Sequence, residues 1–340
     1  MPYTFRSISE DYPDQKWQSY FKEVWPSYKN WYFSEGVNAR PRYLTCLNQL
    51  KKHMPELVPI YQRLVELGGG SDSVARALSL YNPPMYFSGC SQAVWRRQDE
   101  IFLIRNYDYN PLYTEGTVVK TKWGKRQVIG MSDCLLGIVD GINDSGLCVS
   151  LAFGGKTEGG DGFGIPLIVR YVLETCDTTA QAVEVLKRLP CHMAYNLTVL
   201  DMQGYAVTVW LSPNTDAVVL DDLATTNHQE KITWKRHAIA TKTVERLMFL
   251  DQSLRNVYQT SERFIQSFLQ PPLYSDAFKR GFGTLYTTIY NPYDGSIRVL
   301  WKDQSWVLSF YAFEEGEREV NYVDLGMSSF SIPKYIPQVN

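Results

Sequence analysis

One cysteine in this chain stands where it could do chemistry. FSGC, residues 87–90, puts Cys90 directly after Gly89; RNYD, residues 105–108, brings Arg105 and Asp108 at Cys90 + 15 and Cys90 + 18. A cysteine reacts through its thiolate, and a nearby cation favours that form. A glycine lets the backbone bend or be approached closely. Cys46, Cys134, Cys148, Cys176 and Cys191 lie in apolar stretches and read as buried, inert thiols. His53, His192, His228 and His237 form no recognisable Cys–His arrangement, so no imidazole base is indicated for Cys90.

The elements around these residues must bring them together. From Tyr86 the apolar period becomes two. CSQAVW, a turn at Gln98-Asp99-Glu100, and IFLIRNYDY read as a hairpin. Its second strand returns beside residue 90 by about residue 108, so thiol, guanidinium and carboxylate can meet locally. Simple alternation puts Arg105 and Asp108 on opposite faces of one strand, so a bulge or turn must join them.

Upstream, residues 1–40 are rich in Trp and Tyr. Residues 42–67 carry apolar residues at helical spacing, with breaks expected near Pro55 and Pro59 and a stop at Gly68-Gly69-Gly70. A short helix from Ser73 to Leu80 follows. Downstream come strands near residues 116–120, 126–130 and 135–140, then INDSGLCVSLAF. Two helices are predicted next: Gly164 to Cys176, and one capped by Thr178 or Thr179 that runs to Leu189. A hairpin over 196–213, a helix from Trp234 to Leu250 with more helix to about Phe268, and the strands TLYTTIYNP, SIRVLW and SWVLSFYAF complete the pattern. Strands joined by hairpins disfavour a doubly wound parallel sheet. They fit an α+β chain with two largely antiparallel sheets between helical layers, a four-layer αββα sandwich.

Composition narrows the classes. The 340 residues are 44% apolar and 14% aromatic, ample for a core, and the formal net charge is −2. Neither nucleic acid nor an acidic membrane surface is an expected partner. No two cysteines form a CxxC pair, so no metal and no cofactor is expected. The first residues hold no signal-like apolar run, and no stretch approaches the ~20 apolar residues of a membrane span. A cytoplasmic protein with reduced thiols is the expectation.

GC opening a strand, with RNYD closing its hairpin, resembles the cysteine branch of the N-terminal nucleophile hydrolases. The resemblance is strongest to the group of bile-salt hydrolase, penicillin V acylase, acid ceramidase and acyl-CoA:6-aminopenicillanate acyltransferase. LLGIVDGINDSGLCVSLAFGG, NLTVLDMQGYAVTVWLSP, TTNH at 225–228 and RGFGTLYTTIYNP match further motifs of that group, in order. Together they cover about residues 86–315.

The resemblance implies an enzyme that cuts its own chain before Cys90, and then cleaves a linear amide or transfers its acyl group. Cys90 would be the nucleophile, and its freed α-amine the base. Asp108 would hold that amine. Arg105 would pair with the thiolate or with Asp108. Asn227 would donate its amide to the oxyanion. Arg280 would be a second cation, with Arg246 and Arg298 as alternatives. Residues 1–89 would form a helical pro-segment that stays with the 90–340 catalytic part. One departure is Phe153, or Ala152 beside it, where the bile-salt hydrolases carry an asparagine; a backbone N–H near Gly154 or Gly155 would substitute. Trp95, Tyr107 and Tyr109 suggest a small amide substrate with an apolar or aromatic acyl group. Amide hydrolysis is the favoured reading, with acyl transfer to an acceptor amine as a close variant, and a homo-oligomer stays open. The alternative readings are a non-enzymatic ligand-binding protein and a relative that never cuts itself.

Overall fold

The structure is a computed structural model that describes residues 2–97, 100–280 and 282–322, with the side chain of Arg280 outside the description. Gln98 and Asp99, in the expected hairpin turn, lie outside the described residues. In chain order the elements before Gly89 are β1 (Pro2–Ser9), α1 (Gln15–Tyr32), α2 (Tyr43–His53), α3 (Val58–Leu67) and α4 (Asp72–Leu78). Then come β2 (Gly89–Arg97), β3 (Glu100–Tyr109), β4 (Thr117–Thr121), β5 (Val128–Asp133), β6 (Gly137–Asn143), β7 (Cys148–Phe153), α5 (Ile165–Thr175), α6 (Thr179–Arg188), β8 (Tyr195–Leu200) and β9 (Ala206–Leu211). The last part holds β10 (Val218–Leu220), β11 (Ala224–Thr225), α7 (Lys235–Ala240), α8 (Thr243–Arg255), α9 (Ser261–Ser267), β12 (Gly283–Asn291), β13 (Ser296–Leu300), β14 (Ser305–Ser309) and β15 (Gly316–Asn321).

Two sheets carry the fold among the described residues. One has nine strands in the order β10-β9-β8-β7-β6-β5-β4-β1-β15; the other has six, β11-β2-β3-β12-β13-β14. Every pairing is antiparallel except β1 with β4. The sheets face each other over a shared core that includes Val94 and Leu103 from one and Ile129, Met131 and Ile142 from the other. α5 and α6 cover the outer face of the larger sheet, and α8 and α9 that of the smaller. The chain is therefore an α+β, four-layer αββα sandwich, as its hairpin-rich pattern predicts.

Two expectations change. The segment before Gly89 is not helical throughout. β1 joins the large sheet between β4 and β15, with Phe5 wholly buried against Tyr286 and Trp301. The helix expected from Trp234 to Leu250 is two helices. Lys242 takes a left-handed conformation at φ 50° and breaks it, and the next residue, Thr243, turns its hydroxyl to receive the Asn227 N–H at 2.7 Å. The break gives α8 its own direction. Elsewhere the signals act as read: Thr178 caps α6 by accepting from the Gln181 N–H, and α2 gives way to α3 around Pro55.

Candidate active site

The hairpin register sets the geometry. β2 pairs with β3 so that Gly89 lies opposite Asp108, Cys90 opposite Tyr107 and Gln92 opposite Arg105. Paired residues share a face. Cys90, Gln92, Arg105 and Tyr107 therefore point between the sheets, and Gly89, Ser91, Asn106 and Asp108 point toward the α8/α9 layer.

On the inter-sheet face Arg105 donates from Nη2 to Cys90 Sγ at 3.2 Å. Its Nε donates across the sandwich to the Leu151 carbonyl at 2.8 Å, and its Nη1 to the Asp140 carboxylate. Tyr290 donates its hydroxyl to the other Asp140 oxygen. The Tyr107 ring lies 4.6 Å from the guanidinium. Cys90, Arg105, Asp140 and Tyr290 are all fully buried.

On the opposite face Arg246, from α8, donates from Nη1 to Asp108 at 3.0 Å and to Ser91 Oγ at 2.9 Å. Thr284 donates its hydroxyl to the other Asp108 oxygen at 2.7 Å. Arg246 Nη2 reaches Asn227 Oδ1 at 2.7 Å, and the same oxygen accepts the Cys90 backbone N–H at 2.9 Å. Two donors converging on one atom identify it as the amide oxygen. The Asn227 Nδ2 then donates to the Phe153 carbonyl at 3.1 Å.

Burial dominates the electrostatics. It pushes the Cys90 thiol up; Arg105 opposes this most strongly, Asp108 adds to it, and Arg246 opposes it weakly. Burial also raises Asp108, against Arg246 and Thr284, and raises Asp140, against Arg105 and Tyr290. Burial works against the Arg105 charge, but Cys90 and Asp140 outweigh it and hold that group above its ordinary value. Burial thus favours the neutral form of the Cys90 thiol, and Arg105 is the cation beside its sulfur.

The structure brings Cys90, Arg105, Asp108 and Asn227 together, with corrections. No bulge joins Arg105 to Asp108. The irregular register lies in β12, between Thr284 and Tyr286, so the two stay on opposite faces and each takes another partner. Asn227 turns its oxygen, not its amide, toward Cys90, because Arg246 and the Cys90 N–H both claim that oxygen. Asn227, not Asp108, holds the nitrogen of Cys90. Gly154 gives its N–H to the Ala194 carbonyl; Gly155 passes so close to Asn227 that a Cβ there would come within 2.5 Å of its carbonyl. Arg280 ends a 3-10 turn, Ala277–Arg280, and its side chain lies outside the described residues. Arg298 is exposed on β13, and among the described side chains Arg246 is the second cation at the site, beside Arg105. Trp95 is turned away from Cys90 and packs under α9 against Phe264, whereas Tyr107 and Tyr109 stack beside the site.

Asp140, Tyr290, Ser91 and Thr284 carry no signal in the sequence reading. Asp140 is the acid of VDG, and its role depends on a contact between sheets. Among the described residues no group of three or more His, Cys, Asp or Glu side chains is placed to hold a metal, and no helix is long and apolar enough to cross a membrane.

No curated protein matches the chain. Among solved structures it is similar to a mutant conjugated bile acid hydrolase from Clostridium perfringens, at 13% identity over 68% of this chain and 97% of that one, TM-score 0.45. It is also similar to penicillin V acylase from Agrobacterium tumefaciens, at 12% over 65% and 86%, TM-score 0.45. A third is the Caenorhabditis elegans N-acylethanolamine-hydrolyzing acid amidase ortholog, at 16% over 64% and 100%, TM-score 0.44. The family model for acyl-coenzyme A:6-aminopenicillanic acid acyl-transferase matches residues 95–306, a span that holds Arg105, Asp108, Asn227 and Arg246. With that span matched over more than half its length, the chain belongs to the acyl-coenzyme A:6-aminopenicillanic acid acyl-transferase family.

Proposed function

We propose that this chain is a cysteine amidohydrolase of the N-terminal nucleophile type, made active by cutting its own Gly89–Cys90 bond. In that step Cys90 Sγ bonds to the Gly89 carbonyl carbon as the C–N bond breaks, and the thiol proton ends on the Cys90 nitrogen. Water then cleaves the thioester, leaving a Gly89 carboxyl group, a free thiol and a free α-amine. The amine, with an ordinary pKa near ~8, accepts the thiol proton in later turnovers. Asn227 Oδ1 orients the amine, and Arg105 stabilises the thiolate. A linear amide acylates Cys90 and releases its amine; water, or an acceptor amine, takes the acyl group.

One observation carries this reading. The sulfur of Cys90 faces Arg105 at 3.2 Å while its nitrogen is held by Asn227 at 2.9 Å, so both atoms that a chain-starting cysteine would use are separately positioned. The substrate is a small amide with an apolar acyl group, no cofactor takes part, and the two pieces stay together after the cut. The complete burial of Cys90 favours a second reading, a relative that never cuts itself.

Intact mass of the freshly purified protein under denaturing conditions separates the two. Two species, the larger beginning at Cys90 and replaced by one in Cys90→Ala, is the expected result. A single full-length species would withdraw the α-amine base and leave the second reading.

A further inference from the structure

Three oxygens meet where α1 packs on the turn between β5 and β6. Tyr28 Oη, from α1, lies 2.5 Å from Glu115 Oε1 and 2.9 Å from Asp133 Oδ1. Two such contacts need two protons to be hydrogen bonds, and the phenol supplies one. With both carboxylates ionised, one contact would set lone pair against lone pair. The backbone does not fill the gap: the Cys134 N–H is already shared by Tyr28 Oη and Asp133 Oδ1, and the Leu135 N–H goes to Glu115 Oε1. The surroundings are poor in water as well. Asp133 is buried, and so is Tyr20, whose hydroxyl stands beside Glu115 without a hydrogen-bond partner.

We propose that Glu115 and Asp133 share one proton across the Tyr28 hydroxyl, and that this proton latches α1 to the β5–β6 turn, so that the segment before Cys90 loosens as the pH rises. Burial first, and then the Glu115 carboxylate, push Asp133 up to about 7, against Tyr28, the Cys134 N–H and, most weakly, Arg105. The other groups facing the pair do not titrate in that range. Tyr3 of β1, Tyr20, Tyr86, Tyr107, Tyr109 and the Cys134 thiol are all held high by burial. Arg105 acts on Asp133, and Glu115 acts on Arg170 of α5. Farther out, Arg6 and Glu23 pair with each other at 2.7 Å. The closed latch holds a proton that the open one, with its carboxyls in water, releases above the ordinary carboxylate range. Opening therefore becomes easier as the pH rises from that range to about 7, and levels off beyond. Trp17 takes a second hold on the same turn, donating from Nε1 to the Leu135 carbonyl at 2.9 Å. Trp17 and Tyr28 precede Cys90 and both carboxyls follow it, so the latch joins the two parts of the chain whether or not the bond between them is cut.

The test is hydrogen exchange of α1 in the full chain, corrected for the intrinsic rate at each pH. From about pH 5 to about pH 7 the protection of α1 should fall by about tenfold or more in the wild type. It should stay nearly level in Asp133→Asn and in Glu115→Gln, each of which removes one of the two charges; either variant serves if the other fails to fold. Infrared difference spectra of the wild type over the same range should show a carboxyl losing its proton, with a carbonyl band that shifts in Tyr28→Phe. The absence of such a band would overturn the shared proton. Protection that stays level in the wild type, or that falls equally in the amide variants, would overturn the latch.

Discussion

The two faces of the β2–β3 hairpin hold near-copies of one device. Each carries a buried arginine on a buried aspartate: Arg105 on Asp140 between the sheets, and Arg246 on Asp108 under α8. They differ in the atom of Cys90 that they serve. Arg105 spends its third contact on the sulfur. Arg246 spends its own on Asn227, whose oxygen holds the nitrogen. The proposed function would make Cys90 both nucleophile and base, with its sulfur and nitrogen controlled independently, and the alternation of a single strand pair separates the two sets of contacts.

Breaking one arginine at a time distinguishes the two devices. Arg105→Met leaves Asp140 buried without its cation, and Arg246→Met does the same to Asp108. Each is expected to cost about 3–5 kcal/mol in denaturant unfolding, because the surviving charge has no partner. They should part in reactivity. The pH midpoint of Cys90 alkylation should rise by about a unit or more in Arg105→Met, since a thiolate loses a direct donor. It should move much less in Arg246→Met, where Asn227 is disturbed instead. Equal shifts would mean that the faces are not separate.

A milder change sharpens the same contrast. Tyr290→Phe removes one donor from Asp140 while leaving Arg105 in place. It should cost about 1–3 kcal/mol and move the alkylation midpoint in the same direction as Arg105→Met, by less.

The smallest expected effect lies beside the nitrogen-side device. Burial and, secondarily, Arg246 push His237 down to about 4, while a Ser88 backbone group opposes them. The unfolded chain then binds a proton that the native one refuses between the ordinary imidazole value and about 4, so stability falls as the pH drops through that window. The loss should reach roughly 2 kcal/mol by pH 5. His237→Phe should flatten that part of the stability curve in thermal melts; an unchanged slope would assign it to other groups.

Much of this arrangement is legible in the chain. The period-two run from Tyr86 and the length of the hairpin put residue 108 beside residue 90, and the register pairs Gly89 with Asp108. TTNH marks Asn227, because a short polar stretch between elements stands out locally. What the sequence hides is what alternation and distance decide. Arg105 looks like a partner for Asp108 until the pleat turns them apart, and its true partner sits on another sheet. Arg246 is one of several arginines on a helix until the break at Lys242 aims it. PYTFRSIS alternates as a strand should, but its neighbours are residues 117–120 and 316–321, and nothing nearby in sequence announces them.

That first strand changes the molecularity of folding. Pro2 lies opposite Asn321, so one ladder of the large sheet joins the two ends of the described chain. For the intact chain this is a slow but first-order closure, limited by loop entropy. If the chain is cut before Cys90, the same ladder joins two molecules, and refolding becomes second order and dependent on concentration. A maturation that leaves the native shape unchanged would therefore remove the easy way back to it, so a matured molecule that unfolds in dilute solution stays unfolded.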